Sequence, residues 1–561
     1  MKTAHWKEIK VYGDMYERAI LNYDRLETEE YRCPRVFREG GYSWPGDWEG
    51  RTILALVMLA QSTGREPLYL AEIMKWLPER LNAKGYFGTI HGEGLADEQQ
   101  LSGHSWLLRA MAEHHLWKGD DASLRVLEDV VRHLLLPVRG LYNRYPIEAE
   151  ARVTEKGEFG GEAIGSLLEG RAGEWYLSTD VGCAFILLDG ATHAYQLLKW
   201  PELAELIEEM IANFRRIDLA GLSFQTHATL SALRGILRHY DTTGDASLLQ
   251  LAQTVFSLYT REGMTENYAN YNWFGRPEWT EPCAVVDSFI VAVELWKHTA
   301  EASYLELAQG ILYNGLGYGQ RPNGGFGCDC CAGAHDEWLQ PKTGLFEAYW
   351  CCSMRGGDGL SRAIGYGCFT DQERGAFALP FPQNGQMRIT LAGGQMTAMQ
   401  TTAYPYEGTI RLEIRESTIG VPVTAKIFFP SWSDAKKARL KVNGQDAQPV
   451  FSAGFVEWTG IPMTGTVVEM SMPVELRWEN TLNARSLPDR RSLYHGALML
   501  GSIGGANASE TSFELSELEP VSASEAVYRI RGSGLAFRPI RELGRLAMER
   551  AAEDRRQVLF R

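Results

Sequence analysis

The sequence predicts a multidomain α + β protein: an (α/α)6 toroid over residues 1–368, a β-sandwich over 369–535 and a charged helical element over 536–561. Three observations carry this prediction. A helix-turn-helix unit recurs five times before residue 310, strand-type alternation replaces helical periodicity past about residue 370, and 561 residues exceed what one hydrophobic core normally supports.

The first helix is read over 14–27, with apolar positions at Met15, Ile20, Leu21 and Leu26, and residues 51–62 form a nearly continuous apolar helix. The repeat comes next, each copy a helix, a short polar turn with Gly or Pro, and a second helix rich in Leu and Ala that Asp or Ser can cap. Its copies lie at 59–70, 116–124 and 240–249, with weaker ones at 198–203 and 297–305. Five hairpins fit a solenoid or a closed ring. The first helix and one starting near Leu360 supply a sixth pair, which favours the ring.

In such a ring the inner helices and the loops on one side line a central cleft. The loops that would do so are 40–50, which contains Trp48, then 85–89, 97–106 with His104, 225–227 with His227, and 266–274. Polar and aromatic residues gathered at helix starts suit a carbohydrate cleft better than a protein-binding face, although the same residues also build tight turns. Past residue 370, alternating segments at 386–391, 408–414, 422–429 and 466–472, with a turn at Asn443-Gly444, read as a sandwich, and 540–555 reads as a charged terminal helix.

Fifty-six basic against 71 acidic residues give a net charge of -15, which argues against nucleic acid as a partner. There is no apolar run of the roughly 20 residues a membrane span needs, and the N-terminus lacks a secretory signal, so a cytoplasmic location is expected. The chain is 11% aromatic, which supplies platforms for sugar faces or simply a large core.

Nine cysteines are an odd number, and six fall between 283 and 352, which points to metal or catalytic use rather than a disulfide scaffold. Glu281-Pro282-Cys283 stands just before a helix, and Cys351-Cys352 opens a glycine-rich stretch. Together they offer three thiolates and a carboxylate, a tetrahedral zinc set. Proline suits a first helical turn, and a helix N-terminus favours thiolate over thiol. From the residues alone a structural zinc, a catalytic zinc and two unrelated buried thiols all stay open. Cys328-Asp329-Cys330-Cys331 is a rival set, read as secondary.

The order of these features resembles the zinc-dependent β-L-arabinofuranosidases, glycoside hydrolase family 127 and its relatives: helical repeats, Gly103-His104, Gln225-Thr226-His227, Glu266, Glu281-Pro282-Cys283, Cys351-Cys352, then a sandwich. The resemblance implies a six-hairpin catalytic ring with zinc held by Glu281, Cys283, Cys351 and Cys352. It further implies Cys351 as nucleophile, Glu266 with Tyr268 as the acid/base setting, and His104 and His227 as sugar contacts. Glu262 competes for the acid/base role, because the preceding glycine-rich loop is shortened to Arg261-Glu262-Gly263-Met264-Thr265, and the residues after the cysteine pair also depart from the usual pattern.

The expected activity is retaining hydrolysis of an arabinofuranoside or similar glycoside, with oligosaccharide or glycoside as partner, no membrane, and dimerisation left open. The alternatives are a sugar isomerase or lyase using His104 and His227, and a carbohydrate-binding protein with a structural zinc.

Overall fold

Helices fill the chain from residue 14 to residue 365. In the computed structural model, which describes residues 1–38, 43–156, 165–334, 336–482, 487, 489–503, 512–547 and 555–561, they run α1 (Asp14–Leu26), α2 (Asp47–Thr63), α3 (Leu70–Arg80), α4 (Glu98–Lys118), α5 (Asp121–Val130), α6 (Leu187–Leu198), α7 (Pro201–Phe214), α8 (Thr226–Thr243), α9 (Ala246–Glu262), α10 (Pro282–Thr299) and α11 (Ala302–Gly310). A single turn, α12 (Gly317–Gly319), precedes α13 (Cys352–Gly365).

Helices α2, α4, α6, α8, α10 and α13 each pack on the next, and α13 returns to α2, so the ring closes. Every residue from Asp47 to Ala60 of α2 is buried, as is every residue from Pro282 to Val293 of α10. Helices buried on all sides need no polar stripe, which is why α2 reads as an unbroken apolar run.

Glycine sets how closely the inner helices approach. A Cβ on Gly50 of α2 would stand 2.3 Å from the Leu107 amide of α4, and one on Gly235 of α8 would stand 2.4 Å from the Leu188 carbonyl carbon of α6. Those backbones could not meet around a side chain.

The five expected hairpin turns are the ones that join α2 to α3, α4 to α5, α6 to α7, α8 to α9 and α10 to α11. Each of the five leading helices ends on a left-handed residue, at Gly64, Gly119, Lys199, Gly244 and Ala300. The sixth pair is α1 against α13, as expected, although α13 starts at Cys352 rather than near Leu360.

The sandwich consists of two sheets. One orders Lys2–Thr3, Phe369–Asp371, Ala376–Leu379, Val423–Phe428, Phe455–Gly460 and Val450–Ser452, and the other runs from Gln445–Ala447 through Thr409–Ser417 to Gly385–Leu391 and Ile9–Val11. The first eleven residues therefore pair with the sandwich. Edge strands of two and three residues are too short for periodicity to reveal.

A third sheet, also outside the expected layout, orders Leu476–Asn480, Arg491–His495, Leu498–Ser502, Ala536–Pro539, Val527–Ile530 and Leu518–Ser522. The terminal helix expected over 540–555 is α14 (Ile540–Arg545) only, with strands on either side of it; residues 548–554 of that expectation lie outside the described residues. Its charges belong to a junction rather than a free helix: Arg541 pairs with Asp14, and Glu542 lies 3.1 Å from Arg18, both on α1. Asn314 joins this sheet to the ring, donating to the Ala497 carbonyl at 3.0 Å and accepting from the Met499 amide at 2.9 Å.

Among the described residues no helix is long and apolar enough to cross a membrane.

Candidate active site and metal centre

The sequence places two cysteine motifs at two helix starts, and the ring brings those starts together. Glu281 is the N-cap of α10, Pro282 its first residue and Cys283 its second; Cys351 caps α13 and Cys352 opens it. Because α10 and α13 are neighbours in the inner ring, the N-terminal ends of both helices meet, each favouring negative charge. Cys283 Sγ lies 3.6 Å from Cys352 Sγ, and Cys351 Sγ lies 3.4 Å from Cys352 Sγ. All three cysteines are free.

Sulfurs bound to a tetrahedral zinc at about 2.3 Å stand about 3.8 Å apart, so the thiol trio fits that ion with a shift of a few tenths of an ångström. Glu281 offers an oxygen within 4.8 Å of Cys283 Sγ and of a His227 ring nitrogen. The four expected ligands fall in two overlapping groups, the thiol trio and Glu281–His227–Cys283, which share Cys283.

Electrostatics around the thiols are opposed. Burial pushes Cys283 and Cys352 well above the ordinary thiol value; for Cys351 a bond with Cys283 that favours the thiolate is outweighed by the bond with Cys352 and by burial. Against this, Arg51 directs Nη1 at Cys283 Sγ from 3.4 Å while its Nε donates to Asp47 at 2.8 Å. One guanidinium cannot keep three crowded sulfurs ionised, so a cation is the natural complement of this set.

Below the thiols the ring core is ionic. Asp189 accepts from Arg109 at 2.9 Å, Asp287 accepts from Arg234 at 2.7 Å and pairs with Arg355, and Arg355 in turn pairs with Asp358; all of these side chains are buried. His227 sits at the top of this column, its Nδ1 3.2 Å from Glu281 and its Nε2 3.5 Å from Asp287, with its ring stacked on Trp106. Arg51 and Arg355 each lie over the Trp106 ring. The imidazole of His227 therefore stands between the Glu281 carboxylate and Asp287, without a hydrogen bond from Nε2 among the described residues.

Cys351 and Cys352 form part of the wall of a cavity of about 270 Å³ that also involves Trp44, Asp47, Arg51, Asp180, Gln225, His227, Trp279, Glu281, Cys328 and Trp350. Pockets for drug-sized ligands run about 300–1,000 Å³, so this one suits a single sugar ring. Trp44 is fixed by donating Nε1 to the Gly165 carbonyl at 2.8 Å.

Of the expected site residues, Cys351, Cys352, Glu281 and His227 line this cavity, and Cys283 stands directly behind it, 3.6 Å from Cys352. The others lie away from the cavity wall. His104 is fully buried, accepting from the Phe87 amide at 3.0 Å and bonding the Gln100 carbonyl at 2.7 Å. Both ring nitrogens are thereby used in holding a loop, and burial lowers its pKa to about 4. Trp48 stacks on Tyr31 and carries Arg38 over its face. Glu266 is buried and accepts from the Leu482 amide at 2.7 Å, at the junction with the third sheet. Tyr268, held at φ 61, packs under Gly310 and Gly315. Glu262 ends α9.

The rival cysteine set disperses. Asp329 pairs with Arg321 at 2.8 Å and Cys331 bonds the Asn270 carbonyl, while Cys328 alone reaches the cavity. Arg51 and Asp180 were missed by sequence reasoning: Arg51 opens the apolar run of α2, and Asp180 belongs to no motif.

Residues 381–474, within the sandwich and apart from the cavity, match the sequence profile of the beta-L-arabinofuranosidase GH127 middle domain. The whole fold is similar to a GH127 beta-arabinofuranosidase, with TM-score 0.71 at 13% identity over 100% of this chain and 97% of that one. It is equally similar to a GH127 beta-L-arabinofuranosidase from Geobacillus stearothermophilus T6, with TM-score 0.70 at 13% identity over 98% and 99% of the two chains. A further glycoside hydrolase gives 0.71 at 14% identity over 100% and 97%. No curated protein matches the sequence.

Proposed function

We propose that this chain, a relative of the family-127 glycoside hydrolases in its middle domain and its full-length fold, is a retaining glycosidase acting on β-L-arabinofuranosides or closely similar sugars. The observation that supports this most directly is the meeting of three thiols from two helix N-termini, two of them at the wall of a sugar-sized cavity. Cys283, Cys351 and Cys352, with Glu281, would hold zinc. Zinc bound there keeps the sulfurs deprotonated at neutral pH.

Cys351 is the nucleophile of this reading, since it is the half-buried member of the trio and the one at a helix cap rather than within a helix. Its Sγ attacks the anomeric carbon as the glycosidic C–O bond breaks, and water later displaces the sulfur, so two inversions give net retention. A carboxylic acid must protonate the leaving oxygen, a part that the resemblance gives to Glu266 with Tyr268. His227 orients Glu281 and faces the cavity, where its ring can meet sugar hydroxyls.

The test is hydrolysis of a panel of nitrophenyl glycosides by wild type and Cys351→Ser, with the anomer of the first product followed by NMR. A folded, inactive Cys351→Ser and retained configuration are expected. An active Cys351→Ser would leave the thiols with a structural role only, as in a sugar-binding protein.

A further inference from the structure

Asp180 lies in the loop before α6 and lines the same cavity as Cys351. It is 6% exposed, its amide donates to Ser178 Oγ at 3.1 Å, and its carbonyl accepts from the Cys183 amide at 3.1 Å, so its backbone is fixed. One oxygen has an assigned environment: Oδ2 stands 3.6 Å from where a Cβ of Gly165 would lie. The other does not. Among the described residues Oδ1 is buried without a hydrogen-bond partner, and so is Oε1 of Gln225, another residue of the cavity wall, while the rest of the carboxylate is met by the Gly165 backbone and the Gln225 side chain.

An ionised carboxylate with a buried, unpartnered oxygen is expensive, and such a group keeps its proton instead. The groups facing it reinforce this, since Glu281 and Glu98 are acidic and Cys183 is a buried thiol. Burial first, then Glu281 and Glu98, push its pKa up to about 8 against opposing hydrogen bonds from the Gly165 backbone and the Gln225 side chain. A carboxylic acid protonated near neutrality, in a cavity shared with a nucleophile, is what departure of an alkoxide requires. Glu266, by contrast, gives its carboxylate to the Leu482 amide away from the cavity wall.

We propose that Asp180 is the catalytic acid/base of this site, giving its proton to the glycosidic oxygen and later taking one from water. The assignment rests on the reading of the chain as a retaining glycosidase with Cys351 as nucleophile. In the first step the Cys351 sulfur forms its bond to the anomeric carbon, the C–O bond breaks, and the Asp180 proton passes to the departing oxygen. In the second, the Asp180 carboxylate removes a proton from water, whose oxygen bonds the anomeric carbon while the C–S electron pair returns to Cys351.

The experiment compares wild type, Asp180→Asn, Glu266→Gln and Cys351→Ser on methyl and 4-nitrophenyl β-L-arabinofuranosides, with and without sodium azide. Asp180→Asn should lose about 10²–10⁴-fold on the methyl glycoside, whose leaving group needs a proton, and far less in the first step on the nitrophenyl one. Azide, a nucleophile that needs no base, should restore turnover of the nitrophenyl substrate and yield the arabinosyl azide; such rescue also shows that the variant is folded. Asp180→Asn within a few fold of wild type on both substrates, or azide rescue confined to Glu266→Gln, overturns the assignment while leaving the glycosidase reading intact. Full activity in Cys351→Ser sinks that reading and the assignment with it.

Discussion

Cys283 and Cys352, 69 residues apart in sequence, bring their sulfurs to 3.6 Å of each other. Neither position is demanded by packing, because each is the first or second residue of an inner helix whose N-terminal end already has favourable charge for a thiolate. The consequence is a ligand set whose stability depends on what it binds.

Purified protein should therefore carry one zinc per chain by mass spectrometry under native conditions. Cys283→Ser and Cys352→Ser should lose it. Chelation should lower Tm by several degrees, and equimolar zinc should restore it, because binding free energy to a site absent from the unfolded chain adds to folding free energy. A metal-free protein with the same Tm and activity as the loaded one would exclude this centre.

Arg51 supplies the next expectation. It is buried, pairs with Asp47 at 2.8 Å and reaches Cys283 at 3.4 Å. Arg51→Met removes the cation from Asp47 and from the thiols together, and breaking a buried pair in this way costs about 3–5 kcal/mol. Chemical denaturation should show that loss. Alkylation of the metal-stripped variant should also be slower than that of stripped wild type, since the charge favouring thiolate is gone.

The ring and the site differ in how far the sequence disclosed them. Gly64, Gly119 and Gly244 mark helix ends by the backbone conformation they permit, so the hairpin turns could be read from residue type alone. Glu281-Pro282-Cys283 and Cys351-Cys352 were legible for a similar reason, being polar or reactive residues at helix starts where packing asks for neither. Arg51 was not legible, because it stands at the head of the apolar run of α2 and its partners come from α10 and from one turn earlier on its own helix. Asp180 has no local pattern either; what distinguishes it is a buried oxygen without a hydrogen-bond partner among the described residues. His104, which the resemblance gives as a sugar contact, has its two nitrogens engaged with the backbone at Phe87 and Gln100. The third sheet was not legible because its strands are only four or five residues long.

Close helix contacts make a separate prediction. Gly50→Ala would place a methyl carbon 2.3 Å from the Leu107 amide nitrogen, a backbone atom that can yield only if α4 moves. Overpacking of this kind costs about 1–3 kcal/mol and occasionally more. Gly64→Ala, with open space around the added carbon but a left-handed φ of 74, should cost about 1 kcal/mol through strain alone. Thermal denaturation of the two variants side by side should rank Gly50→Ala as the more damaging, and the reverse order would mean that the inner helices are not closely packed.

His104 fixes a pH dependence of stability. Folded, its pKa is lowered from 6.5 to about 4 by burial, while in the unfolded chain it returns to the ordinary value. Between those limits the unfolded state binds a proton that the folded state refuses, so this residue's contribution is intact above about pH 6.5 and is lost progressively as pH falls toward 4. At about 1.4 kcal/mol for each tenfold, the full span is about 3 kcal/mol. Urea midpoints measured from pH 7 to pH 4.5 should fall accordingly. In His104→Gln, which cannot titrate, stability at pH 7 should be lower because the Phe87 and Gln100 bonds are disturbed, and the decline between pH 6.5 and 4.5 should be shallower than in wild type by most of that amount. Parallel pH profiles for the two proteins would show that the imidazole is not held neutral in the folded ring.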